Sequence, residues 1–525
     1  MSRFRVSRVF FSVLLLCVLS LLFKGLYTYY GRFNFSWDFS RDMLWIRQLT
    51  IEHKPILVGP WGSLANAYFG PMYYYFLSIN SWIFGADPRT AVMMVCVFLS
   101  SLVVIGYWFG KKTIDVSAGF LYALFFAISS EMYVLSLYSF SQQLVPFFYF
   151  LVFMSLWFFY KTPKPLFLFL TCFCASLLFH LEPTNILPAY VAIAGVCLFL
   201  LVKGKLKNVV LMIITGVCGV TIPYVTNVLF DLRHHWVQVK AFISLANGTD
   251  ESLVGKIAFV PRISDRFTHI GMVMVQTLVG DQTQVGIILM LGVILICIFR
   301  WKTIWKRLQE HHEYGEYVLF LVWNIGAVFI GFIIFSRLLK DFYLYMVPVL
   351  TILLFGTLIS FFWKFRIVPR FLIGVVILFL VWINMIPVVN GTLLQVRSQT
   401  YEVEKRAVDT IYQDARGRPI NVYTYTSLIY DYPQQYLFTW YGNKQYGYIP
   451  IEYAYEPNQP EYVLDKSIFD AGKATRASQG IPVTYFIMEH DQHAIYTKQN
   501  WLNYFKGTPM LLQTLPGDLE VYRLE

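Results

Sequence analysis

Long apolar runs alternate with short polar segments over residues 1–389, and after that the alternation stops. The segment from Ser2 to Arg8 carries Arg3, Arg5 and Arg8 ahead of an apolar run from Val9 to Tyr29, about the 20 residues that cross a bilayer as a helix. No small-residue cleavage site follows it, so it reads as a retained first span. Further runs occupy Thr90 to Gly110, Val116 to Tyr133, Leu144 to Tyr160, Leu166 to Leu181, Ile186 to Val202, Val209 to Phe230, Val285 to Phe299, Tyr317 to Phe335, Phe342 to Phe362 and Phe371 to Val389. Trp236 to Leu245 and Arg262 to Leu278 have the mixed character of amphipathic or juxtamembrane helices. The pattern predicts an α-helical polytopic membrane protein with about eleven transmembrane helices.

From Asn390 onward the residues are those of a water-facing domain. Glu402 to Gln413 predicts a helix, Ile420 to Thr426 and Val483 to Met488 predict strands, and Leu511 to Leu515 with Leu519 to Leu524 predict a hairpin across Pro516-Gly517-Asp518. The expected organisation is a membrane module over 1–389, with long loops at 31–89 and 231–283, followed by an α/β domain over 390–525.

Composition sharpens this picture. Only 14% of the residues are charged and 57% are hydrophobic, with a mean hydropathy of +0.54; soluble domains carry about a quarter charged residues. The net charge of +11 does not mark a nucleic-acid binder, because its clusters sit on alternate loops: Lys111-Lys112, Lys161 with Lys164, Lys203 to Lys207, Arg300 to Arg307, and Lys364 to Arg370. That is the positive-inside distribution, and it puts the two long loops and the C-terminal domain on the extracytoplasmic side of the membrane. The seven cysteines lie inside apolar runs without the spacing of a disulfide framework or a zinc site.

Candidate chemistry concentrates between Asn34 and Tyr75. Asp38, Arg41 and Asp42 accompany Phe39, Met43, Ile46 and Leu49 at helical spacing, which predicts an amphipathic helix along the membrane surface with Asp38 at its start. Two Gly-Pro steps and the aromatic stretch Tyr68 to Phe84, including Tyr73 and Tyr74, would complete an interfacial platform. Moving a sugar from a lipid phosphate to a hydroxyl requires a base for the incoming proton and cations for the departing phosphate. Asp38 is a candidate base and equally a candidate helix N-cap, two roles that are compatible.

An arginine-started first span, an Asp followed closely by an Arg in the first external loop, and then Gly-Pro and Gly-Pro-Met-Tyr-Tyr-Tyr together resemble the GT-C membrane glycosyltransferases. Within them the chain resembles the family 39 group that includes protein O-mannosyltransferases and the lipid A aminoarabinose transferase. Phe230-Asp231-Leu232-Arg233-His234 and the C-terminal Tyr436-Leu437-Phe438 and Tyr446-Gly447-Tyr448 are similar to uncharacterised bacterial members. The resemblance implies a GT-C fold and an inverting transferase that uses a polyprenyl-phosphate-linked sugar and an acceptor glycan, lipid or protein, with no metal and no cofactor.

Position by position, the resemblance makes Asp38 the general base and Arg41 the arginine that follows the family's acidic pair. Phe39 stands where the second acid is usually Glu, so Asp42 is the alternative carboxylate. Arg337, Lys340 and Tyr343 occupy a loop comparable to the one that meets the lipid phosphate, although interfacial snorkelling also explains the cations. His180 and Glu182 close the fifth span, and Asp231, Arg233 and His234 open the second long loop. Each of these groups either contacts substrate or ties a loop to its span. Gln142, Gln143 and Glu131 are further polar residues at span ends. A secondary transporter or lipid flippase is the rival class, set back by the lack of repeated halves; a membrane scaffold with an external binding domain is another.

Overall fold

The computed structural model describes residues 2–62, 67–247, 255–426, 430–458, 470, 481–489 and 497–525. They form two compact units: Met1–Gly25 with Ile56–Tyr75 and Met93–Leu393, and Leu26–Pro55 with Phe76–Val92 and Leu394–Glu525.

Every one of the apolar runs is helical over most of its length. In chain order the helices are α1 (Ser2–Tyr29), α2 (Trp37–Glu52), α3 (Met72–Phe84), α4 (Pro88–Thr113), α5 (Val116–Ile128), α6 (Ser130–Ser136), α7 (Val145–Lys161), α8 (Pro165–Leu177) and α9 (Ile186–Val202). They continue as α10 (Val209–Arg233), α11 (Val237–Asn247), α12 (Phe259–Val279), α13 (Thr283–Phe299), α14 (Trp301–Glu310), α15 (His312–Ile334), α16 (Val347–Phe365) and α17 (Arg370–Val389). Among the described residues eight helices are long and apolar enough to cross a membrane, or ten if each of two bent pairs counts as one span, and the apolar helix Pro165–His180 is shorter.

Three departures from the sequence pattern matter. The third run breaks at Ser129, with α5 and α6 bent by 54°. The stretch expected as a surface helix is α12, which turns through 98° into α13. The tenth run does not start at Phe342, because Asp341–Leu344 forms a short 3-10 turn and the helix begins at Val347. A helix of ten residues, α14, also carries most of the fourth basic cluster.

A broken helix in lipid leaves backbone groups with no water to satisfy them, so neighbouring side chains must do it. Asn384 of α17 performs this task at the α5–α6 break. Its carboxamide oxygen accepts from the Ser130 backbone N–H and hydroxyl, both at 2.9 Å, while its nitrogen donates to the Leu278 carbonyl at 2.6 Å and the Leu380 carbonyl at 2.9 Å. One buried amide thus joins α6, the end of α12, and α17.

Among the described residues the second unit contains a five-stranded sheet. Its strands are β1 (Ile420–Tyr425), β2 (Glu452–Ala454), β3 (Val483–Met488), β4 (Pro509–Leu515) and β5 (Leu519–Leu524), in the order β2-β1-β3-β5-β4. β1 runs parallel to β2 and β3, whereas β5 is antiparallel to β3 and β4. The two strands, the hairpin and the helix α18 (Tyr401–Ala415) expected from sequence are all present. β2, α19 (Tyr432–Tyr436), α20 (Asn443–Tyr446) and α21 (Lys498–Leu502) lie in segments too short to carry a periodic signal. Tyr423, Tyr425, Tyr455, Phe486, Met488 and Trp501 form the core on one sheet face.

Replacing Asn384 by Leu keeps the branched shape but strands the Leu278 carbonyl and the Ser130 amide. We expect a loss of stability on the order of 2 kcal/mol or more, read as a lowered melting temperature of the purified protein. An unchanged melting curve would show that the break does not depend on this amide.

Candidate active site

In the second unit, α2 presents the Asp38 cluster. Ser36 is the N-cap of this helix and its hydroxyl accepts from the Phe39 N–H, so Asp38 is not the cap; it lies in the first turn. The first half of the helix has no wet face. Phe39, Ser40, Arg41, Asp42, Met43, Leu44 and Ile46 are all buried, and α2 packs against α19. Burying Arg41 requires compensating charge. Its guanidinium contacts the Asp38 carboxylate at 2.8 Å and reaches Asp42 through Nε at 3.0 Å and Nη2 at 2.7 Å. Asp42 is buried by this arrangement, whereas the Asp38 side chain keeps 37% of its exposure. The guanidinium also lies over the Trp37 ring, 5.4 Å from its centre. The result is an accessible carboxylate held at a fixed rotamer by an arginine that a second carboxylate anchors from beneath.

The first unit carries the other candidates. The turn containing Arg337 is clamped from below: Arg337 makes a β-bridge with Lys256, and the Leu338 N–H donates to the Gly255 carbonyl at 3.0 Å. Arg266, fully buried in α12, donates to the carbonyls of Phe332 at 3.0 Å and Phe335 at 2.9 Å and also to that of Arg337. Arg262, one turn earlier, donates to Ile333 at 2.8 Å. Cations at the carbonyl end of α15 complement its dipole and satisfy its last acceptors. The sequence signal was there, two arginines four apart on one helix face, but nothing in it named the partner. Tyr343 is buried against Phe335 and Phe342, and Lys340 lies 5.6 Å from the centre of the Phe342 ring.

The 3-10 turn Asp341–Leu344 packs against the turn Pro183–Asn185, which brings Glu182 to the same place. The buried Glu182 carboxylate accepts from the Thr184 N–H and hydroxyl and, at 3.3 Å, from the Gln142 amide. Burial pushes its pKa up to about 7, with Lys340 acting in the opposite direction. Asn185 is fully buried, and neither its amide oxygen nor its nitrogen has a hydrogen-bond partner among the described residues. Lys340, Glu182 and Asn185 therefore gather around a single corner rich in charge and unfilled hydrogen-bond capacity.

Other residues singled out from sequence hold backbone. His180 does not pair with Glu182: its Nδ1 accepts from the Met72 N–H at 3.3 Å, which leaves Nε2 to donate to the Pro223 carbonyl at 2.9 Å. Its ring lies directly on Gly70, where a β-carbon would overlap it, and this explains the glycine of the second Gly-Pro step. The first step is its partner in a small ladder, with Gly59 N–H to the Phe69 carbonyl at 2.8 Å and Phe69 N–H to the Pro60 carbonyl at 2.9 Å. The Tyr73 hydroxyl bonds Ser139, and Tyr74 is buried. Asp231 caps the start of α11, accepting from Gln238 and Val239 N–H at 2.9 and 3.0 Å. Arg233 is exposed, and exposed His234 stacks on Phe230 and bonds its carbonyl. Gln143 caps the turn at Phe140.

The bundle of apolar helices with an appended sheet domain is a GT-C fold. No family model matches the sequence, and no curated protein matches it. Among solved structures, ArnT from Cupriavidus metallidurans bound to undecaprenyl phosphate is similar at a TM-score of 0.58 and 12% identity, covering 97% of each chain. The same protein in the apo state gives 0.58 and 12%, covering 100% of this chain and 98% of that one. The oligosaccharyltransferase from Archaeoglobus fulgidus is a more distant likeness, at 0.47 and 11% identity over 97% of this chain and 72% of that one.

Two outcomes test the first-unit geometry. Gly70→Ala forces the His180 ring aside, and we expect a loss of roughly 1–3 kcal/mol, whereas Gly271→Ala, with nothing near the added carbon, should be tolerated. Folding raises the Glu182 pKa above its ordinary 4.5, so its contribution to stability is full below that value and declines as pH rises through about 7. Glu182→Gln stays neutral and should flatten that decline, gaining up to roughly 3 kcal/mol on wild type at alkaline pH. Parallel melting-temperature profiles for the two proteins would refute the assignment.

Proposed function

We propose that the chain is a membrane glycosyltransferase that moves a sugar from a polyprenyl-phosphate carrier to an acceptor hydroxyl on the extracytoplasmic side. The observation that carries this reading is the likeness along the whole chain to ArnT, a structure that holds undecaprenyl phosphate. The distribution of basic loops supports the sidedness.

In the proposed reaction the acceptor oxygen attacks the anomeric carbon from the face opposite the phosphate. The new C–O bond forms as the bond to the phosphate oxygen breaks, which inverts the configuration. Asp38 takes the hydroxyl proton, and the carrier leaves as the phosphate anion. The geometry of Asp38 suits a base, because Arg41 fixes its orientation while its outer face stays accessible. Arg337 and Lys340 supply positive charge to the departing phosphate, and Tyr343 and Asn185 supply hydrogen-bonding groups beside them. Burial raises the Glu182 pKa to about 7, so near neutral pH it offsets less of that positive charge than an ordinary carboxylate would.

Membranes containing the overproduced chain, incubated with radiolabelled polyprenyl-phosphate mannose, glucose, galactose and aminoarabinose, should transfer label from one of them. Asp38→Asn should lower that transfer by roughly 100-fold or more with unchanged protein level, since a positioned base contributes about that much. Arg337→Ala should lower it as well. Full transfer by the Asp38→Asn protein would remove the residue from the mechanism.

A further inference from the structure

Within the first unit, α13 turns 98° away from α12, and Gly286 lets the two helices meet closely, because a β-carbon there would overlap Val275 and Val279. Past that contact α13 stands off from the bundle: Gly286 is its one buried residue. The space it leaves beside α16 is an apolar groove of about 620 Å³. Met290, Ile294 and Ile298 of α13 form one wall, Leu354 and Leu358 of α16 the other, and Trp301 of α14 closes one end. The lining hydroxyl of Thr351 already donates to the Val347 carbonyl at 2.9 Å. The volume falls within the roughly 300–1,000 Å³ of cavities that hold small organic ligands, and the walls suit a hydrocarbon chain.

Length narrows the occupant. From Met290 to Trp301 the lining extends about 16 Å, at a helical rise of about 1.5 Å per residue. That is about half of the roughly 30 Å hydrocarbon core of a bilayer, the reach of one acyl chain in one leaflet.

The Trp301 end carries charge. On α14 an aromatic face and a basic face adjoin: Trp301 and Trp305 are exposed and stacked, 5.4 Å between centres and 26° between planes, while Ile304 is buried. Trp favours the depth at which acyl chains meet headgroups. Lys306 and Arg307 face Glu310 at 3.9 and 2.8 Å. Arg300 and Lys302, which flank Trp301 in sequence, are exposed, and neither forms an ion pair among the described residues. Two such cations at the mouth of an apolar groove complement a lipid with net negative charge.

We propose that the groove between α13 and α16 seats one acyl chain of an anionic glycerophospholipid, whose phosphate meets Arg300 and Lys302 while Trp301 covers the chain where it joins the headgroup. This lipid lies in the leaflet on the side of the Lys- and Arg-rich turns, and the Arg337 turn is at the other end of the helices, so it is distinct from a sugar carrier bound there. A filled groove supports α13 and through it α12, whose Arg262 and Arg266 hold the end of α15. The proposal does not depend on the transferase reading.

The test uses the purified, delipidated full-length chain in detergent, with bound lipid counted by native mass spectrometry. One phosphatidylglycerol should be retained per chain, roughly tenfold or more tightly than phosphatidylcholine. Arg300→Gln combined with Lys302→Gln alters exposed side chains alone, so the lipid-free melting temperature should stay while phosphatidylglycerol binding weakens roughly ten- to thirtyfold. Leu358→Trp, which fills the groove, should weaken it as well. Phosphatidylglycerol with a diazirine on its acyl chain, photolysed in the one-to-one complex, should label peptides of α13 or α16. Equal retention of the two phospholipids, undiminished binding in the double variant, or label confined to other helices would each overturn the site. Displacement of the bound phosphatidylglycerol by equimolar undecaprenyl phosphate would give the groove to the carrier instead, and would overturn it too.

Discussion

A helix can stop or break inside a bilayer only where other groups take over its backbone amides and carbonyls, and this constraint organises the first unit. Asn384 discharges it at Ser130 and Leu278, Arg262 and Arg266 at the end of α15, and His180 between Met72 and Pro223. At Ser130, Leu278 and the end of α15 the backbone that is served lies away from the Lys- and Arg-rich turns, and Pro223 lies inside α10. The Arg337 and Glu182 turns are built at that set of helix ends. The candidate site exists where the helices are allowed to end.

That same constraint makes polar residues at span ends ambiguous in a sequence. A residue there is either serving backbone or facing a substrate, and both uses favour the same side chains. His180 and Glu182 are two residues apart and look like one feature, yet His180 bonds backbone at residues 72 and 223 while Glu182 faces Gln142 and the Lys340 turn. These partners lie forty or more residues away, beyond any periodicity. Asp231 is different: the N–H donors it accepts from are seven and eight residues on, a local cap that was one of the two roles its position suggested.

Legibility follows the range of the interactions. The apolar runs, α18, β1, β3 and the closing hairpin were readable because each is long enough for its own periodicity to dominate. The break at Ser129 and the late start of α16 were not, because a span is recognised by hydropathy and hydropathy does not change where Asn384 intervenes. The first half of α2 is the instructive case. Its charges suggested a wet face, but Arg41 and Asp42 neutralise one another so closely that the face is buried. Counting charges along a helix measures exposure only if those charges are unpaired.

This pairing also accounts for the residue at which the chain departs from the family pattern. Phe39 is fully buried and meets Phe35 edge-on at 5.4 Å, and Phe35 in turn contacts Tyr401 and Tyr436. A carboxylate at position 39 would enter that aromatic cluster, where ionisation is costly unless a cation follows it in. The arginine two residues on is already engaged, since Arg41 bonds Asp42 through two nitrogens and Asp38 through the third. Asp42, three residues further along than Phe39, reaches Arg41 without displacing the aromatic packing. The helix thus keeps two carboxylates around one arginine, with only Asp38 accessible, and the aromatic residue at 39 becomes part of what holds that arrangement in place.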